Sequence, residues 1–514
     1  MKRLSPAQAV GLVIAVSTVV RLILASAIGL GVDESYVASV ARTFSLSYFD
    51  HPPLHFWLIW LTTHLTGSEN PLILRLPFIL LFAGTTGLMF FLGKRLFGDW
   101  AGAYAAILLN LSAVFSLSTG SWLLPDGPLM FCLLAAALTL VQLSFPAFQK
   151  ANSAGWLLAG GWLGLGLLSK YHALFLVFGY FLFLITSKPH RSLLLTAGPY
   201  LAVFTAFLFF LPVLIWNYQH DWASFLFQGS RGIGHGFYPA RLLTNILGQA
   251  VWVLPWIWLP LIYALAKALA AGPANNSRFS GQNGRWFLGC LALGPILLFS
   301  LASLWGAQGL FHWHAPGYLF AFPLLGEIVA KALNHHYSRW VQRWLKCSAI
   351  ALLFMLLILG TQAAGGWMNS AFPTVVSAGD PTLEALDWRS IVPLLAEKKL
   401  LDSPGTFVVA GHWIDAGKLD YALGGNLPVL CLNQAPHHFA YLHNPADFKG
   451  QDALIIGRKQ VMDEAAPYLP YFDSVSLLGT LPVQRHGRTE MELALFYARN
   501  FKGYYPLPYG LQVK

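Results

Sequence analysis

The sequence predicts an all-α membrane protein with many spans, followed by a small α/β domain. Hydrophobic residues make up 56% of the 514 residues and charged residues 11%, against about 25% charged in an average soluble chain. Long charge-free runs alternate with short polar connections, as in polytopic helical proteins. After residue 366 the composition becomes that of a soluble domain, which holds 14 of the 22 acidic residues.

The charge-free runs place the spans, because about 20 helical residues cross the hydrocarbon. Residues 100–149 contain a single charge, Asp126, and residues 151–187 contain only Lys170. Each run is long enough to cross twice, so we expect a turn at each lone charge, where its hydration is easier. The sequence predicts about eleven spans: 7–30, 72–93, 101–119, 127–145, 155–169, 171–186, 192–215, 241–266, 286–304, 315–333 and 347–366.

The basic residues predict the orientation, because cytoplasmic loops collect lysine and arginine. With the N-terminus inside, the opposite ends hold only Arg42, Arg75, Lys170, Arg231 and Arg241. The cytoplasmic ends hold Lys2, Arg3, Lys94, Arg95, Lys150, Lys188, Arg191, Lys267, Arg278, Arg285, Lys331, Arg339, Arg343 and Lys346. Most acidic residues before residue 367, and many histidines, then lie outside. We therefore expect the working face there.

The predicted organisation is a membrane domain over residues 1–366 and a soluble α/β domain over residues 367–514. The first outer loop, residues 31–71, carries two apolar segments, Ser35–Leu46 and His55–Leu65, each too short to cross and suited to the membrane interface. In the soluble domain, strands are expected at Thr406–Ala410, Val429–Leu432 and Ala453–Ile456, with a helix at Ile414–Leu423.

Short motifs on the outer side occur in a recognisable order. They are Asp33–Tyr36, Tyr48–Leu54 (Tyr-Phe-Asp-His-Pro-Pro-Leu), Leu124–Leu129, Leu168–Tyr171, Trp216–Phe225 and Trp313–Tyr318. Together they resemble the bacterial branch of the protein O-mannosyltransferase-like glycosyltransferases, a group that includes the lipid A aminoarabinose transferases. Residues Gly411–Leu423 also resemble the outer domain of that family.

The resemblance implies a GT-C fold that moves a sugar, with inversion, from a polyprenyl-phosphate (undecaprenyl) carrier to an acceptor. It implies a multi-pass protein of the bacterial inner membrane whose active site faces the periplasm. The aminoarabinose relatives favour a lipid A or lipopolysaccharide acceptor, and another envelope lipid or glycan stays open. Beyond the donor, the acceptor and membrane lipids we expect no partner, so a monomer. No basic stripe suggests nucleic acid.

The resemblance assigns the acids. An acceptor hydroxyl needs a carboxylate to take its proton, and Asp33 matches the catalytic acid of the family's first loop, with Glu34 as the second candidate. The alternative for either acid is capping of the helix that follows. Asp126 matches the family's second acid, which would orient the acceptor or hold the first loop; it too could simply cap a span.

The departing phosphate needs cations. Lys170 matches a family lysine that contacts the carrier phosphate, and the alternative is a snorkelling interfacial lysine. Arg231, in a glycine-rich outer loop, is a second phosphate candidate. The same substrate-binding set includes Tyr48, His51, His172, His314 and Tyr318, although an aromatic belt at the interface would explain the tyrosine at 318 equally well.

No cofactor is required by this chemistry, and a divalent metal is left open. Asp50 and His220 are the candidate ligands, because carboxylate and imidazole suit such ions; their spacing is not diagnostic. Three other functions also stay open: a transporter or flippase of lipid-linked sugars, a protein O-glycosyltransferase, and a non-catalytic receptor for a lipid-linked glycan. A transporter should have two halves related by an internal repeat, and charged residues near the middle of the membrane. This sequence has no internal repeat, and Arg21 is the only charged residue predicted to lie deep in the membrane.

Overall fold

A computed structural model of the chain describes residues 4–145, 152–232, 236–275, 281–305, 311–334, 338–372, 374, 379–401, 405–459, 462, 466–506 and 508–509. The chain divides into two compact units. The first unit comprises Met1–Leu22, Leu46–His55 and Arg75–Met355; the second comprises Ile23–Ser45, Phe56–Leu74 and Leu356–Lys514.

Helices dominate the chain before residue 372. They are α1 (Pro6–Ala27), α2 (Val32–Val40), α3 (Leu54–Thr66), α4 (Pro71–Phe97), α5 (Asp99–Asn110), α6 (Ala113–Ser116), α7 (Ser118–Ser121), α8 (Asp126–Ser144), α9 (Ser153–Ser169), α10 (Leu174–Thr186), α11 (Gly198–Gln219), α12 (Ala223–Gly232), α13 (Pro239–Val253), α14 (Pro255–Ala271), α15 (Gly281–Ala302), α16 (Ala315–Leu333), α17 (Ser338–Gly365) and α18 (Met368–Ala371).

The predicted spans coincide with these helices. Within the described residues, seven helices are long and apolar enough to cross a membrane, and nine spans result if each of two bent pairs counts as one. Two shorter apolar helices, Ser153–Ser169 and Tyr171–Thr186, occupy the two predicted spans that flank Lys170. The expectation of a polytopic helical membrane protein is confirmed.

Two spans that were expected to be continuous are broken. Helices α13 and α14 meet at 110°, and α5 meets the segment Ala113–Ser121 at 77°. The first break lies at Leu254, whose φ is 81°, just before Pro255. Proline disfavours a helical conformation in the residue before it and donates no backbone hydrogen bond. The hydroxyl of Ser112 donates to the Val253 carbonyl at 3.1 Å, so the two breaks contact each other.

Glycine allows close packing in the first unit. Helix α9 packs along α11 and α8. A Cβ atom on Gly160 would lie 2.4 Å from the Ala202 carbonyl oxygen, and one on Gly164 would lie 2.5 Å from the Cβ of Phe209. Small residues four apart let helix backbones approach, which drives helix association in membranes. This packing fixes α9, whose C-terminal end precedes Lys170.

The second unit contains a five-stranded sheet. Its strands are β1 (Thr406–Ala410), β2 (Val429–Cys431), β3 (Asp452–Arg458), β4 (Ser474–Arg485) and β5 (Arg488–Arg499), in the order β2-β1-β3-β5-β4. Strands β2, β1 and β3 are parallel, and β5 runs antiparallel to both β3 and β4. Helices α19 (Ile391–Glu397) and α20 (Trp413–Leu423) complete it. The three expected strands and the helix are present; the β4–β5 hairpin was missed.

The first outer loop differs from its expected assignment. Its helices are α2, which ends earlier than the expected Ser35–Leu46, and α3, close to the expected His55–Leu65. Residues 31–45 and 56–71 of this loop pack in the second unit, together with the C-terminal part of the chain. The prediction had grouped the loop with the spans.

Candidate active site

A buried ion pair occupies the turn between α9 and α10. The Lys170 ammonium lies 3.0 Å from each carboxylate oxygen of Asp126. The Lys170 side chain is 6% exposed and that of Asp126 is 4% exposed. The sequence predicted both residues as site residues but not that they bind each other. A buried charge is retained only when it is paired, so each residue requires the other.

Local sequence explains why the pair forms. Asp126 is the first residue of α8, where a carboxylate is favoured by the helix dipole. Lys170 follows α9 in an extended conformation, with φ −157° and ψ 140°. Next to the pair, the hydroxyl of Ser169 donates to the Pro125 carbonyl. A second hydrogen bond therefore joins the same two segments and holds the lysine over the acid.

His51 lies in the electric field of this pair. The groups that act on its imidazole are Lys170, Asp50, Asp126 and Arg231, so four of the predicted residues surround a fifth. Burial, together with the nearby Lys170 charge, lowers the pKa of His51 from its ordinary 6.5 to about 4. His51 is therefore neutral at pH 7. Its ring packs edge-on against that of His55, with centroids 5.7 Å apart.

Arg231 lies among aromatic rings. Its guanidinium carbon is 5.1 Å from the Trp313 ring centroid and 5.6 Å from that of Phe227. Phe227 in turn packs against Phe49, and the side-chain amide of Gln228 donates to the Asp50 carbonyl. Helix α12 is thus attached to the Tyr48–Leu54 motif. These contacts place Arg231 near His51.

Two histidines, His172 and His312, also lie near the Lys170–Asp126 pair. His172 stacks on Phe299, with centroids 4.8 Å apart, and contacts Trp313 edge-on at 5.7 Å. His312 and His172 both act electrostatically on Asp126. His312 is also in the field of Lys170 and Arg231. An imidazole donates or accepts a hydrogen bond according to its tautomer, which suits sugar hydroxyls.

Three of the predicted substrate-binding residues are packed inside the first unit. Tyr48 is fully buried. His314 is also buried, with Nδ1 3.2 Å from the Phe311 carbonyl oxygen. The Tyr318 hydroxyl accepts from Trp258 at 2.7 Å and donates to Gln249 at 2.5 Å. Both usual hydrogen-bonding roles of the Tyr318 hydroxyl are thereby used within the protein. Its role in binding a sugar stays a prediction.

The two metal candidates do not share a ligand cluster in the part of the chain that the structure describes. No group of three histidine, cysteine or acidic side chains there is arranged to hold an ion. His220 stacks on Trp216 with centroids 4.1 Å apart, and its Nδ1 lies 2.7 Å from the Trp216 carbonyl oxygen. The structure therefore gives no support to a metal on Asp50 and His220.

Asp33 and Glu34 belong to the second unit and differ from each other. Glu34 is buried, and its carboxylate accepts the backbone N–H of Gly31 at 2.8 Å, the contact of a capping box. Asp33 lies in the first turn of α2 with an exposed side chain. Glu34 therefore has the capping role that was the alternative interpretation for both acids, whereas Asp33 is an exposed residue.

The sequence missed several residues of the cluster. His55 lies four residues after His51, which precedes α3, and Gln228 lies three residues before Arg231 in α12. For Gln228 the available signal was helical spacing, since residues three or four apart on a helix share a face. Nothing in the sequence could have identified Phe299 as a neighbour of the site, because it is an ordinary apolar residue of a span.

Comparisons with known proteins find similar glycosyltransferases. A family model described as dolichyl-phosphate-mannose-protein mannosyltransferase matches residues 50–216, which contain His51, Asp126 and Lys170. An undecaprenyl phosphate-alpha-4-amino-4-deoxy-L-arabinose arabinosyl transferase of Edwardsiella ictaluri is 26% identical over 67% of this chain and 73% of its own length. Lipid A galacturonosyltransferase RgtD of Rhizobium johnstonii is 29% identical over 46% of this chain and 49% of its own length.

Solved structures show the same fold. The crystal structure of ArnT from Cupriavidus metallidurans bound to undecaprenyl phosphate superposes with a TM-score of 0.65 at 17% identity. The alignment covers 95% of this chain and 97% of ArnT. The chain therefore has a GT-C fold and is similar to glycosyltransferases of the protein O-mannosyltransferase type, among them the lipid A aminoarabinose transferases.

Proposed function

We propose that this protein transfers a sugar from an undecaprenyl-phosphate-type carrier to lipid A or a related envelope lipid. The reaction would take place at the periplasmic face of the bacterial inner membrane and invert the anomeric carbon. The names of the curated relatives, an arabinosyl transferase that uses undecaprenyl phosphate and a lipid A galacturonosyltransferase, support the two substrate classes. The observation that carries the proposal is the buried Lys170–Asp126 pair among His51, His312 and Arg231.

The pair suits a phosphate ligand. An ammonium has three hydrogens, and the two Asp126 oxygens take two of them. The third is available to a phosphate oxygen. Asp126 orients the ammonium through these two hydrogen bonds. Arg231 offers a second, planar donor to the same phosphate.

The carrier's hydrocarbon chain needs an apolar surface beside the phosphate site. Helices α9 and α10, joined at Lys170, line an apolar pocket together with α8 and α11. Trp156, Leu163, Leu176 and Phe181 contribute to its wall. A helix rises about 1.5 Å per residue, so these residues lie roughly 10–20 Å along the helices from Lys170. The proposed path of the lipid chain follows this apolar face of α9 and α10 away from the turn.

Asp33 is the proposed base. Its exposed carboxylate accepts the proton of the acceptor hydroxyl, whose oxygen attacks the anomeric carbon. The bond from that carbon to the phosphate oxygen breaks, and the phosphate leaves with the electron pair. Attack from the side opposite the phosphate inverts the centre in one displacement. No general acid is needed, because a phosphate is already a weak base.

A reconstituted assay tests the proposal. The full chain in lipid nanodiscs receives an undecaprenyl-phosphate-linked sugar and lipid A, and mass spectrometry follows the glycosylated lipid. We expect product, and a loss of about 100-fold or more with Asp33→Asn, since a general base contributes roughly that much. Glu34→Gln is the matched neighbour, whose side-chain oxygen can still accept from Gly31, so most of its activity should remain.

Other results would select other functions. Sugar flux across a proteoliposome membrane without transfer would indicate a flippase. Binding of donor that is never cleaved would indicate a receptor, and product on a peptide serine but not on lipid A would indicate a protein glycosyltransferase. Normal turnover by Asp33→Asn would remove Asp33 as the base.

A further inference from the structure

We propose that helix α20 of the C-terminal part of the chain is the element that positions Asp33 for proton transfer. The inference rests on the proposed role of Asp33 as the base. The contacts themselves do not depend on that role, because residues 417–420 of α20 contact the chain on both sides of Asp33. All these residues lie in the second unit. The residues involved are positioning residues, since none of them touches the reacting atoms.

The closest approach is at Gly417. A Cβ atom built on this glycine would lie 2.8 Å from Tyr36 Cα and 2.9 Å from Tyr36 N. Both are backbone atoms of α2, one helical turn beyond Asp33, so they cannot move aside as a side-chain tip can. Any other residue at 417 would push α2 away. Tyr36 itself packs against Trp413 of α20, with ring centroids 5.3 Å apart.

Lys418 holds the chain just before Asp33. Its ammonium donates to the Leu30 carbonyl at 2.5 Å and to the Leu386 carbonyl at 3.0 Å, and the residue is 3% exposed. A buried ammonium carries a large desolvation cost unless its hydrogens find acceptors. The Leu30 carbonyl lies immediately before the capping residue of α2. This contact therefore fixes where the helix begins.

Two further contacts hold the chain after Asp33. The Ser39 hydroxyl donates to the Gly417 carbonyl at 3.2 Å. Arg42 pairs with Asp420 of α20, and it also binds both carboxylate oxygens of Glu69, at 2.8 and 2.7 Å. One guanidinium thus joins α20 to the chain just after α2 and to the chain just after α3. Paired hydrogen bonds of this kind restrict orientation as well as distance.

These contacts matter because proton transfer depends on distance. A general base must lie within hydrogen-bond reach of its proton, and a misplacement of about 1 Å can cost about 100-fold in rate. Asp33 is in the first turn of α2 with an exposed side chain. Its position depends on the backbone of α2, and the contacts with α20 hold that backbone.

A pair of glycine variants tests the inference in the full chain. Gly417→Ala introduces the clash with Tyr36, whereas Gly365→Ala adds a methyl group at the end of α17 where nothing lies within 4 Å. We expect kcat to fall at least tenfold in Gly417→Ala with the KM for the donor unchanged, because the proposed phosphate ligands lie in the first unit. Gly365→Ala should behave as wild type. Ser39→Ala, a milder change, should lower kcat several-fold.

A second measurement reports the position of residue 33 without using activity. Of the four cysteines only Cys347 is exposed, so Asp33→Cys in a Cys347→Ser background gives one reactive thiol. Its rate of modification by a charged maleimide should change several-fold when Gly417→Ala is added and stay the same with Gly365→Ala. An unchanged rate would overturn the inference. A changed rate together with normal transfer by Gly417→Ala would instead contradict the base role and leave the positioning intact.

Discussion

At the scale of single residues, the site depends on charges that have been removed from water. Lys170 and Asp126 are buried as a pair, and His51 beside them is buried and neutral. Burying an ion costs several kcal/mol unless a partner compensates it. Loss of either member of the pair is therefore expected to destabilise the folded protein.

Lys170→Met should destabilise the fold and abolish transfer. It leaves the Asp126 carboxylate buried without its cation, which typically costs about 3–5 kcal/mol. The double variant Lys170→Met with Asp126→Asn removes both charges, so most of the stability should return while transfer does not. Unfolding in detergent, followed by tryptophan fluorescence, gives the free energies. Lys94→Met is the control, because its pair with Asp99 is solvent-exposed and worth about 1 kcal/mol or less. Equal losses in the two lysine variants would contradict the argument.

The stability of the protein should depend on pH through His51. Burial lowers its pKa to about 4 in the folded state from an ordinary 6.5. The unfolded chain therefore binds a proton on His51 as the pH falls below 6.5, while the folded protein does not until about pH 4. Stability is lost across this window. His51→Gln should show a shallower decline of the melting temperature between pH 7 and pH 5. Parallel declines would show that His51 does not carry the effect.

At the scale of elements, the two broken spans differ from ordinary membrane helices. Their breaks meet through the Ser112 hydroxyl and the Val253 carbonyl. The sequence located each span by its apolar run and could have anticipated the break before Pro255. The break after Asn110 has no proline, and hydrophobicity alone does not reveal it. Spans can be predicted from composition. Bends are harder to predict because they depend on contacts between segments that are distant in sequence.

Ser112→Ala should weaken the contact between the breaks. The lost hydrogen bond is expected to lower the free energy of unfolding by about 1 kcal/mol. Ser118→Ala is a matched control, because the Ser118 hydroxyl donates at 2.8 Å to the Val114 carbonyl within its own segment. A loss no larger in Ser112→Ala than in Ser118→Ala would show that the breaks do not support each other.

The same limit explains which site residues the sequence could identify. Asp126 and Lys170 were each the lone charge of a long apolar run, so both were evident. The ion pair between them was not, because 44 residues separate the two in sequence. Asp33 and Glu34 were adjacent candidates with the same side-chain chemistry. Only the structure shows that the Glu34 carboxylate binds the backbone of Gly31.

At the scale of the whole molecule, the chain contributes discontinuous segments to each unit. The soluble domain expected at residues 367–514 corresponds to part of the second unit, which also includes segments near the N-terminus. The sequence missed this because α2 looked like an interfacial helix. Its buried face contacts α20, and composition does not distinguish a protein partner from a membrane surface.

A fragment of residues 367–514 should therefore be less stable than the same fragment fused to residues 31–45. Without α2, the space that Tyr36 fills beside Trp413, His437 and Phe439 is empty. We expect the isolated fragment to bind a hydrophobic dye and to melt at a lower temperature. Calorimetry of the two fragments measures both melting temperatures. Equal melting temperatures would favour the boundary at residue 366 that the sequence predicted.

The discontinuity of the second unit also affects biogenesis. A ribosome adds roughly 5–20 residues per second, and roughly 370 residues separate Ser45 from Trp413, the first residue of α20. The nascent first loop therefore waits on the order of 20–75 s for α20 to be synthesised. During this interval α2 lacks its contacts with α20. Synthesis of the last segment, rather than insertion of the first spans, therefore completes the packing of the first loop.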